Sequence, residues 1–102
     1  MSQKPNIERI AIAGEFSIFN AVELRARLLD ALAAADAVEV DLAQVSEIDS
    51  AGLQLMIAAK QEAAGRDKTL GFVGHSPAVL EALDLCDLIA YLGDPVLIHS
   101  RA

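Results

Sequence analysis

The sequence of 102 residues has one cysteine, Cys86, no tryptophan, and only three Phe and one Tyr. A single cysteine excludes an intramolecular disulfide, which agrees with a reducing compartment. Because 54% of the residues are hydrophobic and 4% aromatic, the core must consist of Ala, Leu, Val and Ile. We expect one globular domain over residues 1–102, with 1–6 as a flexible N-terminus and Cys86 as a small buried side chain.

Long apolar runs and clusters of positive charge are also missing. No segment approaches the ~20 apolar residues of a membrane-spanning helix, and Met1 to Ile7 lack the apolar stretch of a signal peptide. These absences favour a cytoplasmic protein. The net charge is −7 without a Lys/Arg cluster, which argues against nucleic-acid binding or an anionic membrane surface. The same charge favours a partner with a basic face.

The apolar periodicity changes between the strand period of two and the helical period several times along the chain. It predicts an α/β domain with a mixed, mostly parallel sheet and helices packed mainly on one face. The predicted elements are strands at 10–12 and 16–18 separated by Gly14, a helix capped by Asn20, a strand at 38–42, a helix at 52–64, a strand at 70–73, a helix after Ser76 and Pro77, a turn of helix after Asp87 and a strand at 96–98.

The junction Asp49-Ser50-Ala51-Gly52-Leu53 follows a predicted strand and opens a predicted helix. Together with Val38-Glu39-Val40-Asp41-Leu42, Gly14-Glu15-Phe16 and the stretch 70–88, it resembles the STAS family, the anti-sigma-factor antagonists and their relatives. The resemblance covers nearly the whole chain. It implies a STAS domain that works as a non-catalytic signalling switch without a cofactor. The sequence does not specify the oligomeric state, and our default expectation is a monomer that binds partners.

In that family, the residue matching Ser50 is phosphorylated by a partner serine kinase of the anti-sigma type. The resemblance therefore implies that the unphosphorylated domain binds this kinase, releasing the kinase's other client, and that a serine phosphatase resets it. A helix N-terminus suits a phosphate, but a serine there also suits a simple N-cap. Both interpretations stay open. The expected partner-binding rim around Ser50 consists of Glu15, Ser17, Asp49, Gly52 and Gln54.

The sequence departs from the family pattern at two positions, and the second departure supports an alternative. Ser17 stands where many members carry aspartate, and Ala51 stands where several signalling members carry a second hydroxyl. An alanine after the acceptor is also found in STAS subunits of bacterial lipid-transport ABC importers. There the domain binds the transporter ATPase without obligatory phosphorylation. The segments 49–55 and 74–81 also look like stand-alone STAS proteins from chemosensory gene neighbourhoods.

Gly74-His75-Ser76-Pro77-Ala78 superficially resembles the G-x-S-x-G nucleophile elbow of hydrolases, but its final glycine is missing. A small hydrolase using Ser76 is thus a third alternative, against the prediction that Ser76 caps a helix begun by Pro77. His75 and His99 lack the spacing of a metal site. Neither GxxxxGK[ST] nor GxGxxG is present, so no nucleotide site is predicted.

Overall fold

The computed structural model describes residues 6–86, in which three strands alternate with three helices. The predicted turn after Asp87 and the strand at 96–98 lie outside the described residues, as do residues 1–5. Asn6 is held in place, since its carbonyl accepts hydrogen bonds from the N–H groups of Asp36 and Ala37. The elements are β1 (Ile7–Phe16), α1 (Ala21–Ala34), β2 (Ala37–Ile48), α2 (Ser50–Gly65), β3 (Thr69–Val73) and α3 (Pro77–Leu85).

The three strands form a parallel sheet in the order β1-β2-β3. Alternate side chains of the central strand, Val38, Val40 and Leu42, are buried in the core. The opposite face is polar, with the Arg9 Nε and Glu39 Oε1 atoms 3.2 Å apart. This period of two confirms the predicted α/β sheet with helices mainly on one face.

The first two predicted strands are one element. β1 runs through Gly14, which adopts a φ of +79°, and the pairing with β2 shifts register between Ala11 and Ala13 and again after Gly14. The glycine therefore produces an irregularity in a continuous strand instead of a turn between two strands. Phe16 is the last residue of β1, and the predicted continuation to Ile18 is wrong because the chain turns there.

Two helix ends test the predicted caps. At α3, Ser76 is the N-cap, its Oγ accepts a hydrogen bond of 3.2 Å from the Val79 N–H, and Pro77 occupies the first turn, as predicted. Cys86 is exposed as the C-cap of α3 instead of buried. The buried residues of this helix are Val79 and Leu83. The helix ends at Leu85, so Cys86 does not continue the buried face.

Replacing Ser76 with alanine should lower the free energy of unfolding by about 1 kcal/mol, because the Val79 N–H loses its acceptor. Urea unfolding monitored by circular dichroism measures the change. Ser46→Ala is the control, since Ser46 is exposed on β2 and should change stability by less than about 0.5 kcal/mol. A Ser76→Ala protein as stable as this control would contradict the capping role.

Candidate functional site

The first turn of α2 presents Ser50 to solvent. Asp49 is the N-cap, and its Oδ1 accepts a hydrogen bond of 3.1 Å from the Gly52 N–H. Ser50 is the first helical residue and is exposed, and its hydroxyl makes no hydrogen bond to any residue within 6–86. The interpretation of Ser50 as the cap is therefore wrong. Asp49 has that role, and the Ser50 hydroxyl lies at a helix N-terminus unengaged by the described residues.

The second carboxylate oxygen of Asp49 connects α2 to the end of β1. Oδ2 accepts a hydrogen bond of 3.1 Å from the Ile18 N–H, and the Asp49 N–H donates to the Phe16 carbonyl at 3.3 Å. The bonds from Ile18 first, and from Gly52 second, hold the pKa of Asp49 below its ordinary value. Asp49 is thus a charged link between the chain after β1 and the helix that begins with Ser50.

Asp49→Asn should destabilise the protein at neutral pH, and the deficit should shrink in acid. Because the folded pKa is lowered, the stabilisation is fully present above the unfolded pKa of about 3.9 and is lost as pH falls through the folded value. Urea unfolding at pH 7 and near pH 3.5 measures the difference. Asp30→Asn, on the exposed side of α1, is the control for the loss of one surface carboxylate. A deficit independent of pH would contradict the role of the charge.

The β1–α1 loop, Ser17 to Asn20, is fixed by its own side chains. Ser17 is 4% exposed; its Oγ donates to Glu15 Oε1 at 2.6 Å and accepts from the Phe19 N–H at 3.2 Å. The Asn20 side chain folds back, with Oδ1 accepting from the Ser17 N–H at 2.9 Å and Nδ2 donating to the Glu15 carbonyl. Asn20 begins α1 as predicted, but its side chain makes no capping bond.

Gly52 lets the first turn of α2 approach the end of β1. A Cβ at this position would lie 2.5 Å from the Phe16 carbonyl oxygen and 2.9 Å from Ile48 Cγ1. Ordinary contacts of a Cβ are longer than 3.4 Å. The buried glycine is therefore what allows Asp49 and Ser50 to lie beside the β1–α1 loop.

The predicted rim residues divide into two groups. Glu15, Asp49 and Gln54 are exposed, and Gln54 is four residues after Ser50 on the same face of α2. Ser17 and Gly52 are buried, so they shape the rim from beneath instead of lining it. We call Ser50 and the exposed residues around it, Glu15, Ile18, Asp49 and Gln54, the Ser50 surface.

Sequence reasoning missed an apolar patch that adjoins this surface. Ile18, Phe19 and Val22 are 67%, 88% and 82% exposed. The sequence contains one sign of this patch. Val22 is apolar but lies on the side of α1 opposite the buried residues Leu24 and Leu28. An apolar residue on the outer face of a helix, just after two others in a turn, indicates a surface used for contact.

Most charges near the patch are negative, and the exception is Arg25, an exposed residue three positions after Val22 on α1. Segments 15–24 and 43–56 contain Glu15, Glu23, Glu47 and Asp49 but neither Lys nor Arg. Glu15 and Glu47 are neighbours in the register of β1 and β2. The carboxyl ends of parallel strands meet at one edge of the sheet, which brings these acids to the same side of the molecule.

Other chemistry considered from the sequence lies elsewhere. The cleft of about 50 Å³ between α1 and α2 does not include Ser50. Residues 6–86 contain no group of three or more His, Cys, Asp and Glu side chains that could hold a metal, and His99 lies outside them. Ser76 is 4% exposed and serves as a cap. In this described part of the chain, no helix is both long and apolar enough to cross a membrane.

A family model described as Mlab, STAS domain, matches residues 1–93. The chain belongs to the STAS domain family. The end of β1 and the N-terminus of α2, whose sequences resembled that family, therefore lie in a STAS domain. A search of curated proteins found no significant match.

Solved STAS structures share the fold of this domain. An anti-sigma factor antagonist from Mycobacterium paratuberculosis is 22% identical, with a TM-score of 0.75 over 96% of this chain and 82% of that one. The Bacillus protein SpoIIAA in its phosphorylated form is 17% identical, with a TM-score of 0.67 over 92% and 85%. A SulP transporter STAS domain from Vibrio cholerae is 17% identical, with a TM-score of 0.66 over 94% and 78%.

Proposed function

We propose that this STAS domain is a partner-switching signalling protein. In its unphosphorylated form it binds a serine kinase of the anti-sigma type, phosphorylation of Ser50 ends the binding, and a serine phosphatase restores it. The observation that carries the proposal is the Ser50 hydroxyl, exposed at the N-terminus of α2 while Asp49 does the capping. The domain acts by binding and has no catalytic residue of its own.

The position suits phosphoryl transfer. The Ser50 Oγ attacks the terminal phosphorus of ATP, the bond to ADP breaks, and a carboxylate of the kinase takes the hydroxyl proton. The Gly52 and Leu53 N–H groups are bound by Asp49, so the dipole of α2 is what favours the phosphate at this position. No rearrangement of the fold is required, because Ser50 makes no hydrogen bond within residues 6–86 that the modification would break.

The same chemistry explains release. A phosphoryl group adds a charge of about −1.5 to −2, and it faces the catalytic carboxylate and the nucleotide phosphates of the kinase. At about 6 Å and an effective dielectric constant near 20, the repulsion is a few kcal/mol. Since about 1.4 kcal/mol changes affinity tenfold, this separates a micromolar complex. The solved phosphorylated form of SpoIIAA, which has the same fold, supports the proposal.

Transfer of phosphate from ATP by the kinase that copurifies with this protein tests the acceptor. The unmodified chain should gain one phosphoryl group, and Ser50→Ala should gain none. Ser46→Ala is the matched control, because Ser46 is an exposed serine four residues earlier, and it should be phosphorylated like the unmodified chain. Undiminished phosphorylation of Ser50→Ala would refute the assignment.

A second candidate is a constitutive subunit that binds the ATPase of an ABC lipid transporter. Ala51 favours it, as does the description of the matching family model, which names Mlab. The two candidates differ in one measurable property. A transporter subunit would copurify with an ATPase, and Ser50→Asp would leave that complex intact.

A further inference from the structure

Three large apolar side chains are exposed between the end of β1 and the first turn of α1. Of the five exposed large hydrophobic residues in 6–86, Ile18, Phe19 and Val22 lie within five consecutive positions. Single exposed apolar residues are common on protein surfaces, but a cluster of them indicates an interaction site. Phe19 is the most exposed, at 88%.

The exposure of this patch is a property of a fixed loop. The Phe19 N–H is bound by Ser17 Oγ, the Ile18 N–H by Asp49 Oδ2, and the Asn20 N–H by the Ser17 carbonyl. A surface held in place in this way loses little conformational entropy when a partner covers it. Phe19 is therefore presented outward by the same hydrogen bonds that order the loop.

The patch and Ser50 are parts of one continuous face. Asp49 immediately precedes Ser50, and its carboxylate holds the Ile18 N–H at 3.1 Å and the Gly52 N–H at 3.1 Å. A protein that brings a catalytic group to Ser50 Oγ therefore approaches the Ile18 backbone, where the apolar patch begins.

The charge around the patch indicates what covers it. Segments 15–24 and 43–56 contain four acidic residues, Glu15, Glu23, Glu47 and Asp49, and neither Lys nor Arg. Arg25 follows directly on α1, so acidic residues outnumber basic ones beside the apolar patch. A second copy docked by a twofold axis would place two acidic rims against each other, which is unfavourable. A partner with Lys and Arg around an apolar pocket is complementary in both charge and polarity.

We propose that Ile18, Phe19 and Val22 are the anchor for the partner protein, with Phe19 entering an apolar pocket that is rimmed by Lys and Arg. The inference rests on the proposed function for the identity of this partner, the serine kinase. It adds to that function the residues that provide affinity, which are separate from the Ser50 hydroxyl that switches it. Aromatic anchors in such pockets commonly dominate binding energies.

Titration calorimetry with the copurified kinase and full-length variants tests the anchor. Phe19→Ala should weaken binding by about 30-fold or more, while the thermal midpoint stays unchanged because Phe19 is exposed. Ile7→Ala is the matched control. Ile7 is also an exposed apolar residue, at 49%, but it lies at the opposite end of β1, so its loss should change the affinity less than about twofold.

The role of the acidic residues near the patch is tested separately, by the rate of association with the kinase. Glu23→Gln should slow association with the kinase and reduce the dependence of the association rate on salt, because rim charges act mainly on the rate of encounter. Stopped-flow mixing at two ionic strengths measures both. An association rate that is equally salt-dependent in this variant would overturn the assignment of a basic partner face.

The outcomes separate the anchor from the switch. If Phe19→Ala binds the kinase like the unmodified chain while Ser50→Asp does not, the anchor is refuted and the switch remains. If Phe19→Ala loses a basic partner that has no kinase activity, and Ser50 carries no phosphate, the switch is refuted and the anchor is supported. If sedimentation shows that Phe19→Ala dissociates a dimer of this chain, the basic partner is refuted.

Discussion

Ser50→Asp should weaken binding to the serine kinase by about 30- to 100-fold while the fold stays intact. One negative charge about 6 Å from a partner carboxylate, at an effective dielectric constant near 20, costs about 2–3 kcal/mol. The helix N-terminus tolerates the new charge, and the Ser50 hydroxyl makes no hydrogen bond within residues 6–86. Titration calorimetry measures the affinity, and a melting curve by circular dichroism measures the thermal midpoint.

Ser50→Asn separates charge from shape in this experiment. Asparagine has nearly the size of aspartate but no charge, so Ser50→Asn should retain most of the affinity. If Asn and Asp weaken the complex equally, the switch depends on steric fit at Ser50 and the electrostatic explanation is wrong. An unchanged affinity for Ser50→Asp would remove Ser50 from the interface altogether.

Gly52→Ala should destabilise the domain by about 1–3 kcal/mol and weaken kinase binding as well. The added Cβ would lie 2.5 Å from the Phe16 carbonyl oxygen, so α2 must move away from β1. That movement strains the link between Asp49 and Ile18 and displaces Ser50. Urea unfolding and calorimetric titration with the kinase measure the two effects.

Gly65→Ala is the matched control for this substitution. Gly65 belongs to the same helix, and a Cβ built there meets no heavy atom within 4 Å. Alanine at Gly65 should therefore leave stability unchanged or raise it by less than about 1 kcal/mol. Equal stability of Gly52→Ala and Gly65→Ala would show that the close approach at Phe16 does not constrain α2.

The alternation of elements and the caps with a local signal could be predicted from the sequence. Val38, Val40 and Leu42 alternate with charged residues and form a buried strand face. Ser76 followed by Pro77 marks the start of α3 without help from the rest of the fold. In both cases the information lies within a few neighbouring residues.

The parts that could not be predicted depend on contacts distant in sequence. Asp49 and Ser50 are both good capping residues, and the Ile18 N–H, 31 residues away from Asp49, helps to hold the Asp49 carboxylate in its position. Gly14 has the signature of a turn, yet pairing with β2 continues through it. A serine in a loop would be expected on the surface, but Ser17 is buried, and its hydroxyl is satisfied by a hydrogen bond to Glu15.

The hydrogen bonds of Asp49 also explain why an apolar patch and a serine hydroxyl lie in the same site. The apolar patch comes from the β1–α1 loop and the first turn of α1, and Ser50 comes from α2. The Asp49 carboxylate links the loop to α2 through the N–H groups of Ile18 and Gly52. We expect affinity to depend on the patch and regulation to depend on Ser50. The two properties should therefore be separable by mutation, although they share one surface.

The most direct test is the phosphate occupancy of Ser50 in protein isolated from its own cells, measured by peptide mass spectrometry in two fractions. One fraction is the protein bound to the serine kinase, and the other is the protein free of it. Partner switching predicts phosphate on Ser50 in the free fraction and an unmodified Ser50 in the bound fraction. Equal occupancy in both fractions, or an unmodified Ser50 in both, would contradict it.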